Sequence, residues 1–412
     1  MPDAPRELAT CRADFPALVR TMNGRPLVFL DGPAGTQVPR AVIDSIAAYY
    51  ESCNANTHGQ FATSLESDEL LEATRSRVAA FLGAPSGREV SFGANMTTLC
   101  FALAHALGRE IKPGDEVVIT QLDHEANRGP WLGLAERGVV VREVVLGRDG
   151  RLDYDDLRSK IGRRTRLLAV GLASNALGTV NDVALARELS RSVGAWLVLD
   201  AVHYAPHFPL DVAALDPDFL LCSAYKFYGP HVGILYGRPG LLGTLRTDRL
   251  STQDETAPYR IETGTLNHAA IAGVGAAVGF LAGFGAGVDL RARVADAMTR
   301  IERHERALAV RYYERVRQLP GVSVWGPDFS EVRRAPTVSI TVDGRTAEEV
   351  ARFLGERGIA VWDGHFYAAR AVEVLGLTAR GGLVRTGISM YTTADDVDRL
   401  LAGLAELTGP AR

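Results

Sequence analysis

Short apolar runs alternate with helical segments through the first half of the chain. Five runs read as buried strands, at 116–120, 139–145, 167–171, 196–200 and 219–223. Helical spacing of apolar residues lies between them, at 128–137, 153–161 and 182–193. Strands that are apolar on both faces and joined by helices form parallel sheets covered on both sides. The alternation therefore predicts an α/β layered fold.

The flanking segments predict how the chain divides. Helices are expected at 65–83 and 97–107, and the Ala- and Gly-rich stretch 268–284 reads as a buried helix. Strands at 336–342, 359–362 and 383–388 then alternate with helices at 346–357 and 394–407. We expect an N-terminal arm (1–20) with one short amphipathic helix and a large domain (21–285). A smaller C-terminal α+β domain (286–412) would follow, joined through a charged bridging helix at about 288–318.

The charge balance and the cysteines exclude several classes of protein. Lys and Arg number 45 against 49 Asp and Glu, so no basic surface for nucleic acid or an anionic membrane is expected. No apolar run is long enough to span a bilayer, and the first residues lack an apolar secretory segment. Four cysteines at 11, 53, 100 and 222 match neither zinc-site nor disulfide spacing. We expect a cytoplasmic protein without a metal site.

Two charged residues follow neighbouring strands where ligands usually bind. Asp200 closes one strand and Lys226 follows the next, and ligands of open α/β sheets lie beyond such strand ends. A carboxylate there can pair with a protonated pyridine nitrogen. A desolvated lysine has a lowered pKa and a free amine for imine formation. Each alone also fits a cap or a surface charge, but together they predict a site for pyridoxal 5′-phosphate (PLP).

Further polar residues lie near the same strand ends. His124 could stack on the cofactor ring or be an ordinary loop histidine. The segment 92–98 precedes a helix, so it could bind phosphate or simply cap that helix. Arg385 could bind a substrate carboxylate or form a surface salt bridge. The remaining polar residues after strands are Asp123, Asn175, Ser223 and Tyr225.

With these residues, the chain resembles the class V aminotransferase family of fold-type I PLP enzymes, and within it the group II cysteine desulfurase and selenocysteine lyase branch. The resemblance runs from FLDG at 29–32 to YTTADDV at 391–397. It implies a fold-type I PLP-dependent transferase with a mostly parallel, seven-stranded sheet between helices. It also implies a PLP-dependent enzyme that acts on a small amino-acid substrate as a homodimer with shared active sites.

The resemblance assigns roles to the strand-end residues. It implies that Lys226 is the Schiff-base lysine, Asp200 the partner of the pyridine nitrogen, and His124 the ring that stacks on the cofactor. Asn175 would contact both cofactor and substrate, and Arg385 would bind the substrate carboxylate.

The resemblance also implies a phosphate site and a substrate loop. The implied phosphate ligands are Met96, Thr97, Ser223 and Tyr225, with Thr265 reaching the phosphate in the partner subunit. Tyr225 stands where the family more often has His. His203 stands where the family usually has Gln and would lie near the cofactor's phenolic oxygen. The loop 50–62, which contains His58, is expected to help select the substrate.

One segment departs from the desulfurase pattern. Desulfurases carry a nucleophilic Cys in a Gly-His-His-Cys-Ala-like motif, whereas this chain has Trp-Asp-Gly-His-Phe-Tyr-Ala at 362–368. Tyr367 occupies the Cys position, and a phenol cannot accept sulfur as a persulfide. The sequence thus resembles a cysteine desulfurase-like side branch that lacks the catalytic Cys.

Three reactions remain open for such an enzyme. The first expectation is C–S (β-)lysis of cysteine or an S-substituted cysteine, with Tyr367 or His365 as the acid that protonates the departing sulfur. Epimerisation or racemisation, and aminotransfer, are the alternatives. A non-enzymatic PLP-binding protein is disfavoured because the set of site residues is intact. Neither a Gly-x-Gly-x-x-Gly nor a Gly-x-Ser-x-Gly motif occurs in a fitting context, which disfavours nucleotide-dependent oxidoreductases and hydrolases.

Overall fold

The centre of the computed structural model, which describes residues 4–409, is a seven-stranded β-sheet. The strands are β1 (Thr21–Met22), β2 (Arg25–Pro26), β3 (Val28–Phe29), β4 (Val90–Gly93), β5 (Glu116–Thr120), β6 (Val140–Val144), β7 (Thr165–Gly171), β8 (Trp196–Asp200), β9 (Phe219–Ser223), β10 (Gly233–Gly237), β11 (Val322–Trp325), β12 (Thr337–Val342), β13 (Ile359–Ala360), β14 (Trp362–Gly364) and β15 (Leu383–Gly387).

The helices cover both faces of the sheet and extend into the C-terminal part. They are α1 (Arg40–Ser52), α2 (Ala62–Leu82), α3 (Met96–Gly108), α4 (Gly129–Leu132), α5 (Tyr154–Lys160), α6 (Val183–Val193), α7 (Val212–Leu215), α8 (His268–Ala282), α9 (Leu290–Val316), α10 (Ala347–Glu356), α11 (Ala369–Val374) and α12 (Ala394–Thr408).

The large sheet has the order β4-β10-β9-β8-β7-β5-β6. Strands β5 to β9 are mutually parallel, and β10 runs antiparallel to both β9 and β4. Its central strands are buried on both faces, between one apolar core that includes α2 and α8 and a second that includes α3. This confirms the expected mostly parallel sheet of the fold-type I class. The sequence pattern did not indicate β4 or β10, because no helix separates β9 from β10 and glycines bound both short runs.

A second, antiparallel sheet of order β11-β12-β15-β14 lies in the C-terminal part. It packs against α10, α12 and the end of α9 in a core of its own. The strand expected at 359–362 is divided. Residues 359–360 pair in parallel with β3, and residues 362–364 pair with β15. This transfer between sheets brings the segment after β14 towards the carboxyl ends of the large sheet.

Two helical expectations were wrong in detail. The N-terminal arm contains two 3₁₀ helices, Leu8–Asp14 and Pro16–Val19, rather than one amphipathic helix. Pro16 lacks the N–H that a continuous helix would need. Phe15, between them, is buried against the rings of Tyr228, Phe280 and Tyr391.

The helix expected at 128–137 is also shorter than the pattern suggested. Only Gly129–Leu132 is α-helical, and a 3₁₀ segment, Gly133–Arg137, follows. Glycine at 129 and 133 and proline at 130 disfavour a long α-helix. Among the described residues 4–409, no helix is both long and apolar enough to cross a bilayer.

Candidate active site

The candidate site is a cavity at the carboxyl ends of the parallel strands. Strand order reverses between β5 and β7, and the loops that follow these two strands diverge there. Ligands of open α/β sheets bind in such crevices. The loops after β5, β7, β8 and β9 line the cavity together with the first residues of α3.

Lys226 lies just beyond β9, at the end of a 3₁₀ turn. Its side chain is buried, and Nζ donates hydrogen bonds to the carbonyl oxygens of Pro33 and Ala34, the latter at 3.1 Å. Burial, aided by the nearby charge of Arg385 and opposed by Asp200, lowers the pKa of the Lys226 amine to about 7. A large fraction of this amine is therefore neutral, and nucleophilic, near neutral pH.

Asp200 is the last residue of β8 and faces the same cavity. Its Oδ1 accepts a hydrogen bond from the N–H of Val202 at 2.8 Å, which leaves Oδ2 available to a ligand. Burial raises the pKa of Asp200 to about 6, although the charge of Lys226 opposes that shift. Asp123, also buried, accepts from the N–H of Gly171 and from Asn127, and burial together with Asp200 raises its pKa to about 7.

His124 follows β5 and is neutral at ordinary pH. Burial lowers its pKa to about 4, and the charges of Lys226 and Arg385 add to the shift. Its Nδ1 accepts a hydrogen bond from the N–H of Ala126 at 2.9 Å, so the ring proton lies on Nε2. A neutral, oriented imidazole is suited to stacking on a planar ring.

The N-terminus of α3 lies against the end of β9. Asn95 caps the helix by accepting from the N–H of Thr98, and the N–H of Met96 donates to Oγ of Ser223 at 3.0 Å. Helix N-termini present N–H groups and a positive dipole end to anions. Thr97 and Tyr225 line the same end of the cavity, and the ring of Tyr225 stacks on His231 with centroids 4.6 Å apart.

Asn175 and His203 line the cavity, and each has an unsatisfied polar atom. Oδ1 of Asn175 and Nδ1 of His203 are buried without a hydrogen-bond partner among the described residues. Nε2 of His203 is held by Oγ1 of Thr337 at 2.9 Å. Buried polar atoms are normally hydrogen-bonded, so both mark positions at which a ligand can bind.

Arg385 lies on β15 of the second sheet and contacts a loop that lines this cavity. It is buried, and Nη1 donates to the carbonyl oxygen of Asn175 at 3.0 Å. Its guanidinium lies over the ring of Phe366, 4.1 Å from the centroid. Burial lowers the pKa of Arg385 to about 9, and Asp31 opposes that shift, so the group is still cationic at neutral pH.

The loop after β14 contacts the loops that follow β5 and β7 in the large sheet. The carbonyl oxygen of Phe366 accepts from Nδ2 of Asn175 at 2.8 Å, and that of Tyr367 accepts from the N–H of Glu125 at 2.7 Å. The ring of Tyr367 stacks on His124, with centroids 5.4 Å apart. His365 is exposed, and its Nδ1 accepts from the N–H of Tyr367 at 3.1 Å.

Two bulky residues in this loop adopt left-handed backbone angles. The φ angles of Phe366 and Tyr367 are +53° and +59°. Such angles are unfavourable for residues with large side chains and persist where surrounding contacts hold them, often at functional sites. Here the contacts are the hydrogen bonds from Asn175 and Glu125 to the two carbonyl oxygens.

Two residues singled out from the sequence lie away from the cavity within this single chain. Thr265 is exposed and lines a neighbouring cavity with His231 and Thr98. His58 is exposed, and its Nδ1 lies 3.3 Å from Oδ1 of Asp68 on α2. The structure does not bring them to Lys226, and their roles stay predictions that require a partner subunit.

Sequence reasoning missed three contacts at this site. The carbonyl oxygens of Pro33 and Ala34 hold Lys226, but backbone acceptors carry no side-chain signal. Phe366 packs under Arg385, but the sequence pattern assigned a role only to its neighbours His365 and Tyr367. The only signal in the sequence was that Phe366 lies within residues 362–368, the segment that differs from the desulfurase motif.

The residues present fit bound PLP. Lys226, buried in the cavity, would hold the aldehyde carbon, and Asp200, whose Oδ1 alone is hydrogen-bonded, would accept from the protonated ring nitrogen. The N-terminus of α3 and Ser223 suit the phosphate. The unpartnered atoms of Asn175 and His203 leave polar positions for the cofactor and substrate. No group of His, Cys, Asp and Glu arranged to hold a metal ion occurs within residues 4–409.

All four cysteines are buried and outside this loop. Burial raises the pKa of the Cys11 thiol to about 12, with Asp14 adding to the shift, and it raises those of Cys100 and Cys222 well above the usual range. Cys53, near the end of α1, is also buried. Only an accessible thiolate is an effective nucleophile, so these thiols are poorly placed to attack a substrate.

Comparison with known proteins gives a consistent result. Residues 28–400 match the family model for aminotransferase class-V. A cysteine desulfurase of Pectobacterium carotovorum is 35% identical, over 96% of this chain and 97% of the relative. The apo structure of a cysteine desulfurase from Thermococcus onnurineus superposes with a TM-score of 0.87 at 28% identity, covering 97% of each chain. A cysteine desulfurase of Escherichia coli in its S-sulfonic acid form gives 0.84 at 29% identity, over 97% of this chain and 98% of that one.

Proposed function

The chain belongs to the class V aminotransferase family as a cysteine desulfurase-like, PLP-dependent enzyme, and we propose that it cleaves the C–S bond of cysteine or of an S-substituted cysteine without using a cysteine nucleophile. The overall reaction would be β-elimination followed by hydrolysis. One S-substituted cysteine and one water would give one thiol, one pyruvate and one ammonia, so no oxidant or reductant is needed.

The observation that carries this proposal is the state of the thiols. Tyr367 occupies the loop position that the desulfurase motif gives to Cys, and all four cysteines are buried elsewhere. A persulfide-forming desulfurase needs a thiolate that reaches the substrate sulfur. Without one, the sulfur would leave as a free thiol or sulfide.

Lys226 would act as the base. Bound PLP would withdraw electrons from the substrate Cα and acidify its C–H bond. Lys226 Nζ would take that proton, and its low pKa favours the neutral form that can do so. Asp200 would keep the cofactor ring nitrogen protonated, and His124 would hold the ring plane.

Substrate orientation would depend on Arg385 and Asn175. The guanidinium of Arg385 would bind the α-carboxylate, while Oδ1 of Asn175 would contact the substrate or the cofactor. Arg385 would then fix the Cα–H bond relative to Lys226, because carboxylate and hydrogen are attached to the same carbon.

Tyr367 and His365 are the proposed acids for the departing sulfur. Tyr367 stacks on His124, which lines the cavity, and His365 contacts Tyr367 through its Nδ1. Either group could instead deliver a proton to the opposite face of Cα. Epimerisation, which needs such a proton donor, is therefore the second candidate reaction.

A homodimer with shared sites is part of the proposal. Thr265 and His58 lie outside the Lys226 cavity of their own chain, which fits roles in a partner subunit. Apolar side chains on α1, α2 and α3 are also exposed, including Tyr50, Leu65 and Phe101. Burying them against a second copy would remove them from water.

The test is a product assay on the holoenzyme. L-Cysteine, S-methyl-L-cysteine and S-benzyl-L-cysteine would each be supplied, with thiol or sulfide, pyruvate and ammonia measured. Equal amounts of all three products support lysis. Solvent deuterium at Cα without pyruvate would favour epimerisation, and a sulfur-containing oxo acid formed only with an added amino acceptor would favour aminotransfer.

The fate of the cysteines can be tested separately. Intact mass after turnover with L-cysteine should show no added sulfur atom, and iodoacetamide should not label the native protein. A persulfide on any of the four cysteines would contradict the proposed route.

A further inference from the structure

Trp362 lies beside Arg385 on the face of the second sheet that meets the large sheet. The two residues are directly opposite in the antiparallel β14–β15 pair, so their side chains share one face. Ser339 is the opposite neighbour of Arg385 on β12, and its Oγ donates to the carbonyl oxygen of Ala176. Val384, next to Arg385, packs into the core on the other face.

Trp362, which is opposite Arg385, and Tyr367, which stacks on the cavity residue His124, are exposed aromatic residues at the edge of the site. The exposed fractions are 48% for Trp362 and 67% for Tyr367, whereas Trp131, Trp196 and Trp325 are buried or half-buried. Tyr367 has His124 stacked on one side and His365 edge-on, at 6.2 Å between centroids. We refer to Trp362, His365 and Tyr367 as the aromatic rim.

We propose that the aromatic rim binds a planar aromatic group carried on the side chain of the amino-acid substrate, an inference that rests on the proposed function. Aromatic rings stack on or pack edge-to-face with one another more favourably than their buried area alone provides. The natural substrate would then be an S-substituted cysteine with an aromatic ring beyond its sulfur, rather than cysteine itself.

The position of the aromatic rim favours an aromatic group on the substrate side chain. Arg385 would hold the α-carboxylate. Trp362 is its cross-strand neighbour, and Tyr367 follows Phe366, whose ring lies against the guanidinium. A substituent on the same Cα–Cβ unit therefore extends towards the rim. The exposed apolar residues of α1, α2 and α3 belong to other elements and are the surface proposed for a second copy of the chain.

Two uncleavable analogues test the rim on the holoenzyme. They are the carbon isosteres of S-benzyl-cysteine and S-methyl-cysteine, in which CH₂ replaces sulfur. Binding would be followed by the cofactor absorbance and by tryptophan fluorescence. In the unsubstituted enzyme the phenyl analogue should bind about tenfold more tightly than the methyl analogue. Trp362→Ala should bring this ratio towards one, and Trp362→Phe should largely keep it because a ring remains.

The outcomes separate this inference from the proposed reaction. A ratio near one in the unsubstituted enzyme, or an unchanged ratio in Trp362→Ala, would overturn the aromatic site even if thioethers are cleaved. The expected ratios, together with no thiol, sulfide or pyruvate from L-cysteine, S-methyl-L-cysteine or S-benzyl-L-cysteine, would sustain the site and refute the lyase proposal.

Discussion

The strand ends around Lys226 and the segment 362–368 contribute to one site in opposite ways. At the strand ends, Asp200 and Ser223 are held by the regular backbone of buried strands. In the segment, Phe366 and Tyr367 adopt left-handed angles and are fixed by hydrogen bonds from other loops. The first region keeps the residue types that suit PLP, and the second lacks the desulfurase thiol. This contrast suggests that cofactor chemistry and the fate of the substrate sulfur are determined by separate parts of the chain.

The largest effect is expected from a substitution at the strand ends around Lys226. Lys226→Ala should lose the visible absorbance of the bound cofactor and reduce kcat by about 10³-fold or more, because both the covalent anchor and the base are removed. Absorbance spectra and a pyruvate assay measure this. Lys112→Ala, in an exposed position before β5, is the matched control and should behave as the unsubstituted enzyme. A normal cofactor band in Lys226→Ala would mean that another lysine holds PLP.

A smaller effect is expected in the second region. Tyr367→Phe should leave the cofactor spectrum unchanged and lower kcat for thioether cleavage by about 10²-fold, because an acid for the departing sulfur is lost. The comparison is made with S-benzyl-L-cysteine under saturating conditions. Tyr154→Phe, on α5 and remote from the cavity, removes a tyrosine hydroxyl that accepts from the N–H of Asp182 and serves as control. Full turnover in Tyr367→Phe would remove Tyr367 from the mechanism.

The smallest effect is a shift in pH dependence that links the two regions. The rate at which apo-protein takes up PLP should rise with pH and level off above about 7, because the neutral Lys226 amine is the reactive form. Arg385→Gln removes a positive charge that lowers the pKa of Lys226, so its profile should move to higher pH. Asp200→Asn removes a charge that raises this pKa, so its profile should move to lower pH. Stopped-flow absorbance measures both, and identical profiles in all three proteins would contradict this electrostatic coupling.

Much of the large sheet could be predicted from the sequence. The runs at 196–200 and 219–223 coincide with β8 and β9, because strands buried on both faces must be continuously apolar. The antiparallel β10 was missed, since no helix separates it from β9 and its other partner, β4, lies far away in the chain. The N-terminal arm was predicted to contain one short amphipathic helix, but burial of Phe15 among distant aromatic rings determines its shape.

For the site, local patterns indicated the residues but not their contacts. Asp200 and Lys226 could be singled out because each follows a recognisable strand. The hydrogen bonds from Lys226 to the carbonyl oxygens of Pro33 and Ala34 could not, because no side-chain pattern marks a backbone acceptor. The packing of Phe366 under Arg385 depends on how the second sheet packs against the loops of the large sheet.

The sequence by itself determined the fold class, the cofactor and the absence of Cys at position 367, since each depends on residue types and on periodicity along the chain. The tertiary structure decided that Tyr367 stacks on His124, that Trp362 shares a face with Arg385, and that all four thiols are buried. These relations join residues distant in sequence. They arise from strand register and from burial, which the packing of the whole chain determines.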